Sequence, residues 1–398
     1  MSAECFYVTT PIYYVNAKPH IGHAYTSIAA DALARYHRLC GKRVLALTGT
    51  DEHGQKVAKA AAEASVTPRE FTDRISATFR DLWTEFGLSF DDFIRTTEPR
   101  HRSAVEKFWK LLDERGQIYK ALYRGWYCTP CETFFTERQV LAEAGAKVCP
   151  DCKRPVEQIE EENFFLKTSQ YQAWLREHIM AHPDFIQPDI RRNEVLGFLD
   201  NNTLQDLCIS RPAGRLSWGI PSPLSATHVT YVWFDALINY VTACGFADDA
   251  GRFAQWWPAD VHLVGKDILR HHAVYWPIML KAAGMEVPRQ IFAHGWWVQG
   301  GQKMSKSLGN VVDPLEVARR YGFDAFRYFL LREVPFGFDG SFSEEALVNR
   351  FNHDLANDLG NLLHRSLSMC EKYFGGEIPV GVSVAVTVGV AVGVCEEL

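Results

Sequence analysis

Phe6-Tyr7-Val8-Thr9-Thr10, helical spacing from Ala24 to Leu39 that stops at Gly41, and the run from Lys42 to Thr48 together decide the fold. The first piece is aromatic and β-branched and reads as a buried strand. The last supplies a second strand, and the helix between them makes a βαβ unit. A second unit of this kind lies far downstream, in Val261-His262-Leu263-Val264-Gly265, a helix over Ala273 to Ala283, and Ile291-Phe292-Ala293. Two such units predict an α/β fold with a doubly wound parallel sheet, split by a long insertion. Ligands of such sheets bind beyond the carboxyl ends of the strands. The ends to watch are therefore Thr10-Pro11, Gly49-Thr50-Asp51, Gly265-Lys266-Asp267 and His294-Gly295.

The chain has 398 residues, 47% hydrophobic and 23% charged, a globular composition large enough for two or three domains. A formal charge of -6 argues against indiscriminate nucleic-acid binding but leaves room for a local patch that docks one folded RNA. No basic leader or cleavage site is visible after Met1, and no uninterrupted apolar run is long enough to span a bilayer, so the expected setting is cytoplasmic, with an organelle after processing as the alternative, and without membrane contact.

The insertion, residues 116–225, carries two close cysteine pairs, the acidic run Glu160-Glu161-Glu162 and several prolines, and reads as a separate module. Cys128-x₂-Cys131 and Cys149-x₂-Cys152, seventeen residues apart, have the spacing of a tetrahedral zinc knuckle over about residues 125–155. Four thiolates leave no open position on the metal, so the expected zinc, one per chain, is structural. The expected segments are 1–115 and 226–342 for the halves of the catalytic domain, 343–376 for a C-terminal helix striped with Leu347, Phe351, Leu355, Leu359 and Leu362, and 377–398 for a low-complexity tail alternating valine with small residues. The basic stretch Arg95 to Lys110 reads first as a solvated helical face and second as an RNA contact.

Two motifs point to phosphate chemistry. His20-Ile21-Gly22-His23 sits where the first strand's loop enters the first helix, so backbone N–H groups and the helix dipole favour an anion there. Both histidines can donate to phosphate oxygens, and Gly22 permits close approach. Lys303-Met304-Ser305-Lys306-Ser307, flanked by Gly300-Gly301 and Gly309, reads as a loop whose lysines follow charge onto a departing polyphosphate.

These two segments resemble the signature motifs of the class I aminoacyl-tRNA synthetases. The flanking Tyr7-Val8-Thr9-Thr10-Pro11-Ile12-Tyr13-Tyr14-Val15-Asn16 and Gly49-Thr50-Asp51-Glu52-His53-Gly54 are similar to the methionyl-tRNA synthetases, from about Phe6 to about Gly376. The resemblance implies activation of L-methionine by ATP, with accompanying magnesium, followed by transfer to tRNA(Met). It assigns His20, Gly22, His23, Lys266, Asp267, Lys303, Ser305 and Lys306 to ATP, with His20, His23, Lys303 and Lys306 carrying the chemistry. Ile12, Tyr14, Trp233, Leu237, Tyr240, His272 and Trp276 would line the methionine pocket, with Asp51 on the ammonium group. Only about 110 residues separate the two halves, too few for a large editing domain, and aromatics suit a thioether; both favour methionine over branched aliphatic substrates.

The expected oligomeric state is a monomer. The tail departs from the family, since Glu344 to Phe374 reads as only the first helix of an anticodon-binding bundle. Two other readings stand beside full ligase activity: a form that makes the adenylate but charges tRNA poorly, and a non-catalytic RNA-binding relative.

Overall fold

Phe6, Tyr7 and Val8 are all buried, so Cys5–Thr9 has both faces covered, as a central strand of a parallel sheet must. The computed structural model describes residues 4–15, 18–135, 137, 139–143, 145–150, 152–299, 302–303 and 312–378. Cys5–Thr9 pairs in parallel with Arg43–Asp51 on one side and with Val261–Gly265 on the other, and Val261–Gly265 pairs in turn with Gln290–His294. Tyr13–Tyr14 and Asp92–Arg95 extend the sheet beside Arg43–Asp51, and Ile186–Gln187 joins the opposite edge. Strand order reverses between Cys5–Thr9 and Val261–Gly265, which places the switch-point crevice beyond Thr9 and Gly265. The doubly wound α/β sheet predicted from the sequence is present.

Helix Ile21–Leu39 begins three residues before the first apolar-periodic position, because His20 itself caps it. Its buried face, with Ile21, Ala24, Tyr25 and Ile28, packs on helices Pro68–Glu85 and Phe323–Arg332 through Phe79, Trp83, Phe326 and Phe329. Asp31, fully buried, ties these layers together: Arg327 donates to it at 2.7 Å and the Ser89 hydroxyl at 2.6 Å. The helix expected over Ala273 to Ala283 is irregular at its start. A 3₁₀ turn at Lys266–Ile268 and a π-helical turn at His271–Tyr275 precede regular helix at Trp276–Ala282. Wide turns of this kind re-aim side chains, and this one faces the crevice.

The insertion is not one separate module. Ile118–Cys128 and Glu157–Leu166 form a long antiparallel hairpin that carries the cysteines at its tip. Helices Gln172–Ala181 and Asp189–Asn201, however, bury Leu175, Ile179, Val195 and Leu199 against Val264, Ala273, Val274 and Ile278 of the second half, and Ile186–Gln187 joins the main sheet. The expected boundaries at 116 and 225 therefore enclose two kinds of structure, because part of the insertion has an apolar face that only the sheet layer covers. Within the acidic run, Glu161 is buried and bridged to Arg211 at 3.1 Å.

Residues 95–110 divide: Arg102, Lys107 and Lys110 form the expected solvated face, while the other side of the helix is core. In helix Pro99–Glu114, His101 and Trp109 are fully buried, Arg100 forks onto Asp92 at 2.7 and 2.8 Å, and Lys107 donates to the Phe246 carbonyl. The final helix runs from Glu344 to Phe374, with a π-helical middle at Phe351–Leu359, and stops at Gly375 in the left-handed region. Of its stripe, Leu347 is buried while Leu359 and Leu362 are exposed. Among the described residues no helix is long and apolar enough to cross a membrane.

Candidate functional site

A cavity of about 440 Å³ opens at the switch point, between the carboxyl ends of the central strands and the start of the first long helix. His20, Ile21, Gly22 and His23 line one end. His20 is the N-cap: its Nδ1 accepts from the Gly22 N–H at 3.1 Å, and His23 Nδ1 accepts from the His20 N–H at 3.2 Å. This is a capping box built from two histidines, whose rings stack at 3.8 Å. Because both Nδ1 atoms accept backbone protons, both neutral rings carry their proton on Nε2, so each presents an Nε2–H donor. A Cβ on Gly22 would press on the His20 ring at 3.0 Å. The ring of Phe79 supports His23 from behind at 5.3 Å.

At the other end stands Asp51, the last residue of its strand and 7% exposed. Burial raises its pKa well above the usual carboxylate range, and the charges of Asp235 and Glu132 raise it further. Its Oδ1 is buried and has no hydrogen-bond partner among the described residues. An acceptor left in that state is costly unless something cationic meets it.

Ile12, Tyr14, Trp233, Leu237, Tyr240 and His272 line the same cavity. His272 Nδ1–H donates to the Ile268 carbonyl at 2.9 Å, and its Nε2 accepts from the Tyr240 hydroxyl at 2.7 Å. Burial pushes its pKa down to about 4, so the ring is neutral at physiological pH and the wall stays apolar. Trp233 lies flat on His271 at 3.6 Å. Trp276 is one layer deeper, fully buried behind Tyr240 at 5.9 Å and donating to His262 at 3.2 Å.

Asp267 lines the cavity and accepts from the Trp296 indole at 3.2 Å. Lys266 points elsewhere: its ammonium bonds Asp339 at 2.6 Å and lies over the Trp296 ring. Of the lysine loop, Gln302–Lys303 pairs antiparallel with Trp297–Gln299, whose first residue lines the cavity, whereas Ser305 and Lys306 lie outside the described residues.

Two contributors, Asp339 and Glu132, escaped the sequence reading, and a third, His294, was expected only as a strand end. His294 ends a strand already flagged, and its Nε2 accepts from Thr26 on the first helix at 2.7 Å. Asp339 has no motif to mark it. Glu132, directly after Cys131, reaches into the cavity and accepts from the Tyr14 hydroxyl at 2.8 Å; its adjacency to the cysteine pair was the available signal.

The sulfurs of Cys128, Cys131, Cys149 and Cys152 all lie within 4.8 Å of one another, with pairs at 3.6 and 3.9 Å. Tetrahedral zinc with Zn–S near 2.3 Å spaces its sulfurs about 3.8 Å apart, so the donor set fits. Burial pushes the Cys128 thiol up to about 12, so four thiolates would coexist there only around a cation.

Residues 6–367 match the family described as "tRNA synthetases class I (M)". The methionine–tRNA ligase of Thermotoga maritima is 52% identical over 374 residues, covering 94% of this chain and 59% of the relative. That of Caldanaerobacter subterraneus subsp. tengcongensis is 54% identical over 377 residues, covering 94% and 58%. The chain thus spans somewhat more than half the length of these curated relatives. Among solved structures, Mycobacterium tuberculosis methionyl-tRNA synthetase in complex with methionyl-adenylate superimposes with a TM-score of 0.91 at 48% identity, covering 99% of this chain and 78% of that one. The free-state structure of the Mycobacterium tuberculosis enzyme gives a TM-score of 0.83.

Proposed function

This chain belongs to the class I tRNA synthetases of the (M) group, and on that premise we propose that it is a methionine–tRNA ligase, forming methionyl-adenylate from L-methionine and ATP and passing the methionyl group to tRNA(Met). One observation carries the reading. A single cavity joins two Nε2–H donors at a helix N-terminus to a buried carboxylate with an unmatched oxygen and an apolar aromatic wall. Phosphate, ammonium and thioether each meet the chemistry they require.

In this reading the methionine ammonium satisfies Asp51 Oδ1, and the thioether lies against Ile12, Tyr14, Trp233, Leu237, Tyr240 and His272, with Trp276 stiffening the wall from behind. The methionine carboxylate then attacks the α-phosphate in line and pyrophosphate leaves. Little covalent work falls to the protein, so positioning and charge stabilisation dominate. His20 and His23 donate to the triphosphate, Gly22 lets it approach, and Asp267 faces the ribose. Lys303, Ser305 and Lys306 follow the departing phosphates, and Lys266 joins them only on leaving Asp339.

Magnesium would arrive with the nucleotide and offset phosphate charge. The four cysteines are the one cluster of three or more His, Cys, Asp or Glu ligands among the described residues, so phosphate oxygens are its expected holders. Zinc in the knuckle would hold the hairpin tip and take no part in the reaction. The proposed working form is a cytoplasmic monomer.

The test is methionine-dependent exchange of pyrophosphate into ATP, followed by aminoacylation of initiator and elongator tRNA(Met). Exchange without charging would restrict the function to adenylate formation, and the absence of both would leave an RNA-binding relative. Lys306→Ala should slow exchange severely while leaving methionine affinity nearly unchanged, because its contribution belongs to the transition state. Weakened methionine binding with normal turnover would remove Lys306 from that role.

A further inference from the structure

Glu132 sits in the left-handed region at φ 49, where a residue with a side chain is strained. It is nevertheless 4% exposed, and its surroundings hold it from several sides. Oε2 accepts from the Tyr14 hydroxyl at 2.8 Å, Oε1 accepts from the Lys56 N–H at 3.1 Å, and its backbone carbonyl accepts from the Tyr231 hydroxyl.

The Lys56 contact explains a local deficit. Helix Gln55–Glu63 begins after Gly54, which has no side chain to cap it and adopts φ 110. A carboxylate from a residue 76 positions away meets one of its orphan N–H groups and the positive end of its dipole. A Cβ on Gly54 would collide with the Tyr14 hydroxyl and stand 2.7 Å from Glu132 Oε1, so glycine here serves the approach of those two groups. Tyr14 and Lys56 line the cavity with Asp51, and the Lys56 ammonium lies over the Tyr14 ring at 5.0 Å.

The residue before Glu132 is Cys131, whose sulfur is 3.9 Å from that of Cys149 and which itself lines the cavity. The backbone of Glu132 turns within the knuckle, its N–H donating to the Thr129 carbonyl at 3.3 Å. Glu132 therefore has its main chain in the cysteine cluster and its side chain at the amino-acid end of the cavity.

From this juxtaposition we infer that Glu132 is a positioning residue: anchored by the knuckle, it fixes Tyr14 and the uncapped start of helix Gln55–Glu63, so that the state of the four-cysteine site is felt at the methionine subsite. The inference rests on the proposed function for its substrate and on the cysteine cluster for its anchor. It makes the knuckle more than a remote clip, since a cysteine of the cluster and the next residue both line the cavity.

The test compares Glu132→Ala with Glu132→Gln. The alanine variant should keep one zinc per chain, raise the methionine KM by about tenfold or more, the scale set by losing hydrogen bonds to a buried carboxylate, and leave the ATP KM within about twofold. Glutamine can accept from Lys56 and donate to the Tyr14 oxygen, so it should restore the methionine KM to within about threefold of the unmodified protein. A readout independent of activity is hydrogen–deuterium exchange at the Lys56 amide, which should speed up in Glu132→Ala. In the unmodified protein, stripping zinc with EDTA should speed it as well, and in Glu132→Ala stripping should add nothing there. An unchanged methionine KM, an equal rise for both substrates, loss of zinc from the alanine variant, or Lys56 exchange indifferent to zinc would each overturn the coupling. If the unmodified protein shows no methionine-dependent exchange, the functional reading falls, and Lys56 amide exchange alone then decides whether the knuckle and the cavity are linked.

Discussion

Asp51 is a carboxylate held where ionisation is costly. Burial, then the charges of Asp235 and Glu132, raise its pKa in the ligand-free protein, and one of its oxygens has no partner among the described residues. A raised pKa means that the folded chain takes a proton at Asp51 more readily than the unfolded chain does. Its contribution to stability is therefore present below the unfolded value and is lost as pH rises through the folded one. At neutral pH, Asp51→Asn should accordingly stabilise the ligand-free protein, by on the order of 1 kcal/mol, and the gain should shrink on acidification. The same change should raise the methionine KM by about tenfold or more, because the ammonium loses its counter-charge. Calorimetric melting from pH 5 to 8, alongside methionine titration, checks both halves; an asparagine variant that melts lower at pH 8 without methionine would contradict this account of Asp51.

At the scale of elements, the helix after the first strand combines a structural task with a chemical one. Capping uses Nδ1 of His20 and His23, and the same bonds fix the tautomer that presents Nε2–H. The tasks can be separated, because asparagine caps helices well but is too short to reach a phosphate as imidazole does. His20→Asn should leave the melting temperature nearly unchanged while lowering the exchange turnover by about 10²-fold, the usual scale for losing a preorganised donor. A comparable loss of stability would mean that His20 matters as a cap alone.

This helix also shows what the sequence could reveal. Its apolar period was legible from Ala24, but its start was not, since histidine is not among the usual capping residues. The parallel strands were legible because covered strands are continuously apolar, and the knuckle because ligand spacing is a covalent constraint. The two-residue strand Ile186–Gln187 is too short to have a period, and the π-helical turn at His271–Tyr275 has no sequence signature. Within the site, motif residues and the strand end at His294 were legible, whereas Glu132, which lines the cavity, and Asp339, which holds Lys266, gain their positions from partners 118 and 73 residues away, which local pattern does not encode.

Across the whole molecule, one buried carboxylate joins segments that the chain keeps far apart. Asp235 lies in helix Val232–Leu237, between two residues of the cavity wall, Trp233 and Leu237. It bonds His53 Nδ1 at 2.7 Å, just past the strand that ends in Asp51, and His101 Nε2 at 2.7 Å in helix Pro99–Glu114. Thr242 meets the other side of His101 at 3.1 Å. Burial alone would raise the Asp235 pKa, but the two histidines outweigh it and hold the carboxyl below its ordinary value. A depressed pKa contributes stability above the unfolded value and loses it as pH falls through the folded one, so this junction weakens in acid. Asparagine can accept from one histidine but presents an amide donor to the other. Asp235→Asn should therefore cost roughly 3 kcal/mol at neutral pH, with the deficit narrowing on acidification. Because the junction sets Trp233 and Leu237 against Asp51, methionine affinity should fall more than ATP affinity. Denaturant melts from pH 3 to 8, paired with both substrate titrations, check this. A variant as stable as the parent at pH 7, with both affinities intact, would mean that the halves of the cavity are held together by apolar packing alone.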